Sequence, residues 1–179
     1  MPIVTTIEGR IAQVAIDRPE KRNTLSSELC KDLAREFLEL NDDTRVRSIV
    51  LCGHNNVFCA GLDIEEQLAE NTPIFNEFQK VIDALDALSK PVVAAVSGPA
   101  VSQGAAMLYH CDLVFAGEHA LFSMPGLALG QTPRYGVSLL AVKSGGYKLA
   151  AQKLLLSEPI SAAEAVAMGL VNHIVEDDK

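Results

Sequence analysis

The sequence predicts an α/β domain whose strands pair mainly in parallel. Short apolar runs of strand length alternate along the chain with helix-length stretches, which is the order of elements in α/β folds. Two of the apolar runs, "SIVLCG" and "PVVAAVSG", have the composition of buried strands and end in glycine. The length of 179 residues suits one domain with a sizeable core, so we expect residues 1–179 to form a single domain.

The N-terminal part of the chain is expected to form a hairpin, a helix and a buried strand. The runs "IVTTIEG" and "RIAQVAID" are predicted to pair around Glu8 and Gly9, and the polar loop "RPEKRN" follows. A helix is predicted from about Ser27 to Leu40, because large apolar residues recur every four positions from Leu29. The strand "SIVLCG" comes next.

The remaining elements follow from the same patterns. Residues 64–89 look helical and charged, with Pro73 as an interruption, and "PVVAAVSG" is predicted to be a strand. A short helix "SQGAAMLYH", two strands "DLVFAG" and "ALFSMP", and a helix over residues 145–156 are then expected. In "SAAEAVAMG", Ser161 and Glu164 have the spacing of a capping box and Gly169 ends the helix. The run "LVNHIV" is predicted to be the last strand.

Composition excludes several classes of function. A net charge of −8 argues against a general nucleic-acid binder, since phosphate contacts need a basic surface. No N-terminal signal peptide and no apolar run of about 18 residues is recognised, so we expect a cytoplasmic protein without a membrane span. No CxxC pair indicates zinc, and no metal is expected. The scattered thiols are those of Cys30, Cys52, Cys59 and Cys111.

Two stretches about 40 residues apart share one design. In "SIVLCG…FCAGLDI" and in "PVVAAVSGPAVSQGAAM", a buried strand leads through a turn of small residues into the start of a helix. Each turn can present unpaired backbone N–H groups, and two such groups aimed at one point form an oxyanion hole. Taken alone, either stretch is also compatible with an ordinary strand-to-helix loop.

Six successive motifs resemble the enoyl-CoA hydratase/isomerase (crotonase) superfamily. They are "AIDRPEKRNTL", "VFCAGLDI", "KPVVAAVSGPAV", "CDLVFAGEHALFSMP", "LGQTP" and "ISAAEAVAMGLVNHIV". The resemblance implies the ClpP/crotonase-like spiral of ββα units, with the C-terminal helical part short or missing here. It implies an acyl-CoA thioester as ligand, with coenzyme A as part of the substrate and no separate cofactor. The backbone N–H groups of Leu62 and Gln103 would form the oxyanion hole.

The usual catalytic carboxylates of the family are absent from the matching positions. Hydratases of the family place glutamates where this chain has Ala106 and Gly126, and peroxisomal-type Δ3,Δ2-enoyl-CoA isomerases place one where it has Arg134. The segments "GPAVSQGA" and "LGQTP" are nearest to this isomerase branch. They are also similar to the crotonase-like domain of chromodomain Y-like proteins, which lacks these acids. Alanine, glycine and arginine cannot transfer the proton at neutral pH.

Several neighbouring residues are candidate substitutes. Tyr135 is the tentative acid/base group, and a packed tyrosine is the alternative. Asp63, Glu65 and Glu66 follow the first donor, where they are also compatible with helix-start charges on a solvated face. His110 follows Ala106 by one helical turn, and a core histidine is the alternative interpretation.

The remaining expectations concern ligand contacts and assembly. By resemblance, the coenzyme A moiety would lie along the loop that contains Lys21, Arg22 and Thr24, and a solvated loop is the alternative. The acyl-pantetheine path and acyl pocket would be lined by Ala60, Asp63, Ile64, Ala106, Pro125, Gly126 and Arg134. Family members continue further at the C-terminus, and a homotrimer or a dimer of trimers is expected.

Two hypotheses of function follow, with a third from another class. In the first, the protein stabilises the enolate of an acyl-CoA thioester, and isomerase-like activity is the preferred reaction. In the second, it is a non-catalytic acyl-CoA-binding or assembly module. The segment "GPAVSQGA" also resembles the nucleophile segment of Clp-type serine proteases, with Ser102 as nucleophile. That reaction needs a histidine base, and His119 comes too early in the chain.

Overall fold

The structure is a computed structural model that describes residues 2–69 and 73–176. The strands are β1 (Ile3–Glu8), β2 (Ile11–Ile16), β3 (Ser48–Gly53), β4 (Val92–Val96), β5 (Ala100–Val101), β6 (Leu113–Gly117), β7 (Leu121–Ser123), β8 (Ile160–Ser161) and β9 (His173–Val175). The helices are α1 (Ser27–Asp42), α2 (Ile64–Leu68), α3 (Ile74–Ala87), α4 (Gln103–Leu108), α5 (Val137–Gly145), α6 (Tyr147–Leu156) and α7 (Ala162–Ala167). Short 3₁₀ turns lie at Pro19–Lys21 and Leu127–Leu129.

The larger sheet has the strand order β1-β2-β3-β4-β6-β9. Only the β1–β2 hairpin is antiparallel, and the other neighbours pair in parallel, which confirms the predicted α/β architecture. A second sheet of three short strands has the order β5-β7-β8. Neither β5 nor β8 was predicted, because a strand of two residues shows no periodicity.

The predicted helices are present, with two corrections. The segment 64–89 is divided into α2 and α3, and residues 70–72 lie outside the described part of the chain. The helix predicted over 145–156 begins at Tyr147, and the separate helix α5 precedes it. Gly146, with a φ of 78°, adopts a conformation that ends one helix before the next begins.

Helix ends and core follow the sequence pattern closely. The Ser26 hydroxyl accepts a hydrogen bond from the Leu29 N–H at 3.1 Å, which caps α1. The apolar stripe of α1 is buried, as its spacing predicts. The capping box of α7 is also formed, with the Glu164 side chain returning to the Ser161 N–H at 2.9 Å. No helix in the described ranges is long and apolar enough to cross a bilayer.

The loops that follow β3 and β4 pack backbone against backbone. A methyl group on Gly98 would lie 1.8 Å from the Asn56 carbonyl oxygen, and one on Gly53 would lie 2.0 Å from the Val57 carbonyl oxygen. Glycine is therefore required at Gly53, where the loop after β3 folds back on the end of its own strand, and at Gly98, where the two loops approach each other too closely for a side chain. This contact places the two turns singled out in the sequence beside one another.

Candidate active site

The first turn leaves the Leu62 N–H pointing away from the neighbouring segment around Leu25. Leu25 pairs with Leu62 in a parallel bridge, in which the Leu25 N–H donates to Gly61 O and the Asp63 N–H donates to Leu25 O, both at 2.8 Å. Because N–H groups alternate sides along an extended segment, the Leu62 N–H faces the opposite direction. Gly61 allows this path with a φ of 97°.

The second turn leads into α4, whose first residue is Gln103. The Val101 N–H donates to Cys59 O at 2.9 Å, and the Ser102 N–H donates to Ser123 O at 2.7 Å. Ser102 has a φ of 54° and a ψ of −114°, which a non-glycine residue rarely adopts. These bonds fix the turn on both sides of Ser102, and the Gln103 N–H is the first of the helix.

The two turns touch each other through the backbone. A methyl group on Gly104 would lie 2.3 Å from the Cys59 carbonyl oxygen. One on Gly61 would lie 3.1 Å from the Val101 carbonyl oxygen and 3.2 Å from the Gln103 Oε1. The absence of side chains at Gly61 and Gly104 therefore allows the two donor segments to pack together.

The N–H groups of Leu62 and Gln103 are both free within residues 2–69 and 73–176, where neither has an acceptor. Both residues border one open cleft of about 350 Å³, here called the larger cleft. Its lining also includes Arg22, Thr24, Ala60, Asp63, Ile64 and Pro125. The structure thus places the two proposed donors and six of the predicted contact residues on one surface.

A smaller space adjoins the second donor. This small hollow, of about 50 Å³, is bordered by Ser102 and Gln103, which also border the larger cleft. Three positions where the sequence resemblance implies glutamates line its wall, namely Ala106, Gly126 and Arg134. Tyr135 lines the same wall. No Asp or Glu is among the described residues that line the hollow.

Tyr135 is held firmly in the wall of the small hollow. Its backbone has a φ of 58°, its carbonyl oxygen accepts from His110 Nε2 at 2.9 Å, and its hydroxyl donates to the Phe75 carbonyl oxygen at 3.3 Å. Burial raises the pKa of Tyr135 to about 12, opposed in part by Arg134 and Gln103. The phenol is therefore protonated at neutral pH, so it can donate a proton but is a poor base.

The other candidate substitutes serve structural roles. His110 is a core histidine: its Nδ1 lies 2.7 Å from Asp86 Oδ1, and its Nε2 donates to the Tyr135 carbonyl oxygen. The described residues that line the larger cleft and the small hollow do not include His110. No histidine in the described ranges hydrogen-bonds Ser102, so the base that the protease-like hypothesis requires is missing there.

The carboxylates after the first donor are also engaged. Asp63 is buried, caps α2 by accepting from the Glu65 N–H at 3.1 Å, and pairs with Arg18 at 3.0 Å. Glu65 pairs with Lys21 at 2.9 Å, and Glu66 accepts from the Ser27 N–H at 2.8 Å. Of the two cations predicted in the ligand loop, Lys21 is therefore neutralised by Glu65.

Asn23, which was not singled out in the sequence, holds the ligand loop in place. It is fully buried with a φ of 57°, and its Nδ2 donates to the carbonyl oxygens of His54 and Val57 at 3.0 and 2.6 Å. Its Oδ1 accepts from the Arg18 N–H at 2.8 Å. The available indication was an asparagine, which tolerates positive φ, at the end of a polar loop.

Comparison with known proteins agrees with this geometry. The family model described as enoyl-CoA hydratase/isomerase matches residues 6–179. The chain belongs to the enoyl-CoA hydratase/isomerase family. It is 35% identical over 179 residues to a short-chain-enoyl-CoA hydratase of Clostridium acetobutylicum, covering 97% of this chain and 69% of that protein. It is 32% identical to the 2,3-dehydroadipyl-CoA hydratase of Escherichia coli, covering 98% of this chain and 70% of that protein.

Solved structures of the enoyl-CoA hydratase/isomerase family share this fold. One from Pseudoalteromonas atlantica superposes with a TM-score of 0.92 at 33% identity, covering 99% of this chain and 71% of that one. The crotonase-type fold expected from the sequence is thereby confirmed. The preference for the isomerase branch is not, because the similar curated proteins named above are hydratases.

Replacing Gly104 by alanine tests the contact between the two turns. The new methyl group would overlap the Cys59 carbonyl oxygen, so we expect Gly104→Ala to lower the free energy of unfolding by about 3 kcal/mol. Gly9→Ala is the matched control, because nothing lies within 4 Å of a methyl group there and only the left-handed φ is penalised. Denaturant unfolding of both variants measures the difference. Equal stability of the two would contradict the close packing of the turns.

Proposed function

We propose that the protein binds an acyl-CoA thioester with its carbonyl oxygen between the N–H groups of Leu62 and Gln103, and that these groups stabilise the enolate. The observation that carries the proposal is that both amides lack an acceptor among the described residues and border one cleft. Backbone donors at this point need no particular side chain, which accounts for a buried leucine at the first position. Donors of this kind contribute about 3 to 4 kcal/mol each when charge develops on the oxygen.

The larger cleft offers a path for the coenzyme A moiety. Arg22 and Thr24 line it at one side, and Ala60 and Ile64 lie beside the first donor. Arg22 is exposed and forms no ion pair within the described ranges, so it is available for a phosphate, whereas Lys21 is held by Glu65. The acyl group would then continue past Gln103 into the small hollow, which shares Ser102 and Gln103 with the larger cleft.

The reaction depends on a proton-transfer group other than the usual glutamates. The sequence resemblance favours isomerisation, and the names of the similar proteins favour hydration. Tyr135 can supply a proton to an enolate from the hollow, because its high pKa keeps it protonated. Isomerase-like activity stays in the proposal with Tyr135 as the proton donor at C4. It also requires a base that takes the proton from C2, and the described lining of the hollow includes no carboxylate for that step.

A second candidate function is acyl-CoA binding without turnover. It is favoured by the lining of the small hollow, where no carboxylate is present among the described residues. The two candidates share the ligand and the oxyanion hole and differ only in proton transfer.

Self-association is also part of the proposal. Apolar side chains are exposed on neighbouring helices: Leu139 of α5 and Tyr147, Leu155 and Leu156 of α6, each more than half exposed. Large exposed apolar surface of this kind is typical of protein–protein contacts, and it supports a homotrimer or a dimer of trimers.

A pair of ligands that differ in one carbonyl group tests the binding mode. Butyryl-CoA and S-butyl-CoA have the same coenzyme and chain length, but only the thioester offers an oxygen to the two amides. We expect calorimetric titration to show that butyryl-CoA binds roughly thirtyfold more tightly, since the two neutral hydrogen bonds contribute about 1 kcal/mol each. Equal affinities would show that the carbonyl oxygen is not held between Leu62 and Gln103.

Introducing glutamates at the two hydratase positions tests whether their absence limits hydration. The double variant Ala106→Glu, Gly126→Glu places two carboxylates in the small hollow, where hydratases of the family carry theirs. We expect it to hydrate crotonyl-CoA at least about a hundred times faster than the unaltered protein, because general acid–base catalysis contributes factors of this size. The loss of absorbance of the conjugated thioester measures the rate.

The matched control is the double variant Ala106→Gln, Gly126→Gln, which has the same side-chain size without the acid. Circular dichroism of both variants establishes that they fold. If the unaltered protein already hydrates crotonyl-CoA as fast as the glutamate variant, another group transfers the proton. The absence of the two glutamates then does not distinguish catalysis from binding without turnover.

A further inference from the structure

One cation borders the small hollow without an acidic partner. The guanidinium of Arg134 lies over the Phe75 ring, 4.7 Å from its centre, and forms no ion pair in the part of the chain that the structure describes. This stacking fixes the plane of the guanidinium while leaving its N–H groups available.

The other polar side chains in the wall of the hollow are also suited to binding a hydrogen-bond acceptor on a ligand. The Gln103 side chain is only 6% exposed, and its Oε1 is buried without a donor. The Gln103 side chain interacts with the Tyr135 side chain in the same wall of the hollow. The Thr132 hydroxyl adds one more donor at the rim.

The remaining wall is apolar. Ala106, Met124, Leu127 and Val137 line the hollow, and no Asp or Glu is among its described lining residues. A hydrocarbon chain can therefore lie against this wall, and an anion can meet Arg134 without repulsion from a neighbouring carboxylate.

We propose that the small hollow accepts an acyl chain that carries a free carboxylate, and that Arg134 binds this carboxylate. The inference rests on the proposed function, since the thioester end must lie between the amides of Leu62 and Gln103. Planar carboxylates match the paired N–H groups of a guanidinium, which a neutral acyl chain cannot use. The substrate class is thus a thioester of coenzyme A with a dicarboxylic acid.

The location of Arg134 separates this role from binding of the nucleotide. Arg134 borders the small hollow, whereas Arg22 borders the larger cleft, and the donor turn with Ser102 and Gln103 lies between the two. A ligand whose carbonyl group meets the donor turn therefore extends one end toward each arginine. The acyl end, not the phosphates, reaches Arg134.

Matched pairs of CoA esters test the inference. Succinyl-CoA and butyryl-CoA differ by a carboxylate in place of a methyl group, and malonyl-CoA and propionyl-CoA form a shorter pair. Calorimetric titrations at one ionic strength compare the unaltered protein with Arg134→Gln. Arg47→Gln is the control variant, because Arg47 is exposed, lies next to the start of β3 and borders neither the hollow nor the cleft.

We expect the dicarboxylic ester of at least one pair to bind roughly tenfold more tightly than its neutral partner, which corresponds to one charge-assisted hydrogen-bonded contact. Arg134→Gln should remove this preference, while Arg47→Gln should preserve both the preference and the affinity for the neutral ester. Arg134→Lys, which keeps the charge but not the planar pair of donors, should retain part of the preference.

Three results would overturn the inference. Equal binding within both pairs would show that the hollow does not recognise a carboxylate, and the proposed function would still stand. An equal loss of affinity for neutral and dicarboxylic esters in Arg134→Gln would place Arg134 on the coenzyme. If no CoA ester binds at all, the proposed function fails and the inference fails with it.

Discussion

The candidate site depends on the backbone contact between the segment around Cys59 and the segment around Gly104. The Cys59 carbonyl oxygen accepts the Val101 N–H, and the space where a side chain of Gly104 would lie is occupied by that same carbonyl group. Leu25 takes the hydrogen bonds on the other side of the first turn. As a result, hydrogen bonds and close packing hold both turns, while the N–H groups of Leu62 and Gln103 have no acceptor among residues 2–69 and 73–176. An oxyanion hole made in this way needs no reorganisation when a ligand arrives, because its donors are fixed by the fold.

The acidic side chains near this contact have partners within the protein. Acidic residues near the first turn are used to cap helices and pair with Arg18 and Lys21, so they are not available to the ligand. The described walls of the small hollow offer hydrogen-bond donors and apolar surface instead. A ligand that carries negative charge at both ends and develops negative charge at its carbonyl oxygen complements such a site.

The sequence was sufficient for the main elements of the fold and for the two turns that carry the proposed donors. Apolar runs bounded by glycine predicted the parallel strands, and small residues after two of these strands predicted the turns. The sequence was not sufficient for the short strands β5 and β8 or for the helix α5, because two-residue strands have no period and an internal glycine pair obscured the helix boundary. The sequence indicated a turn-forming asparagine at position 23, but it did not reveal which loops Asn23 and His110 fix on either side of the site. Their roles depend on partners 24 to 34 residues away in the chain, such as Asp86, His54 and Val57.

The most direct test of the oxyanion hole removes one donor without changing any side chain. Replacing the peptide bond between Gly61 and Leu62 by an ester eliminates the Leu62 N–H, which has no acceptor among residues 2–69 and 73–176, so no internal hydrogen bond is lost through that group. The carbon-13 resonance of the thioester carbonyl in bound [1-¹³C]butyryl-CoA reports hydrogen bonds to its oxygen. We predict a downfield shift on binding to the unaltered protein and a clearly smaller one with the ester-substituted protein. An identical shift with both proteins would contradict the central claim that the Leu62 amide holds the carbonyl oxygen.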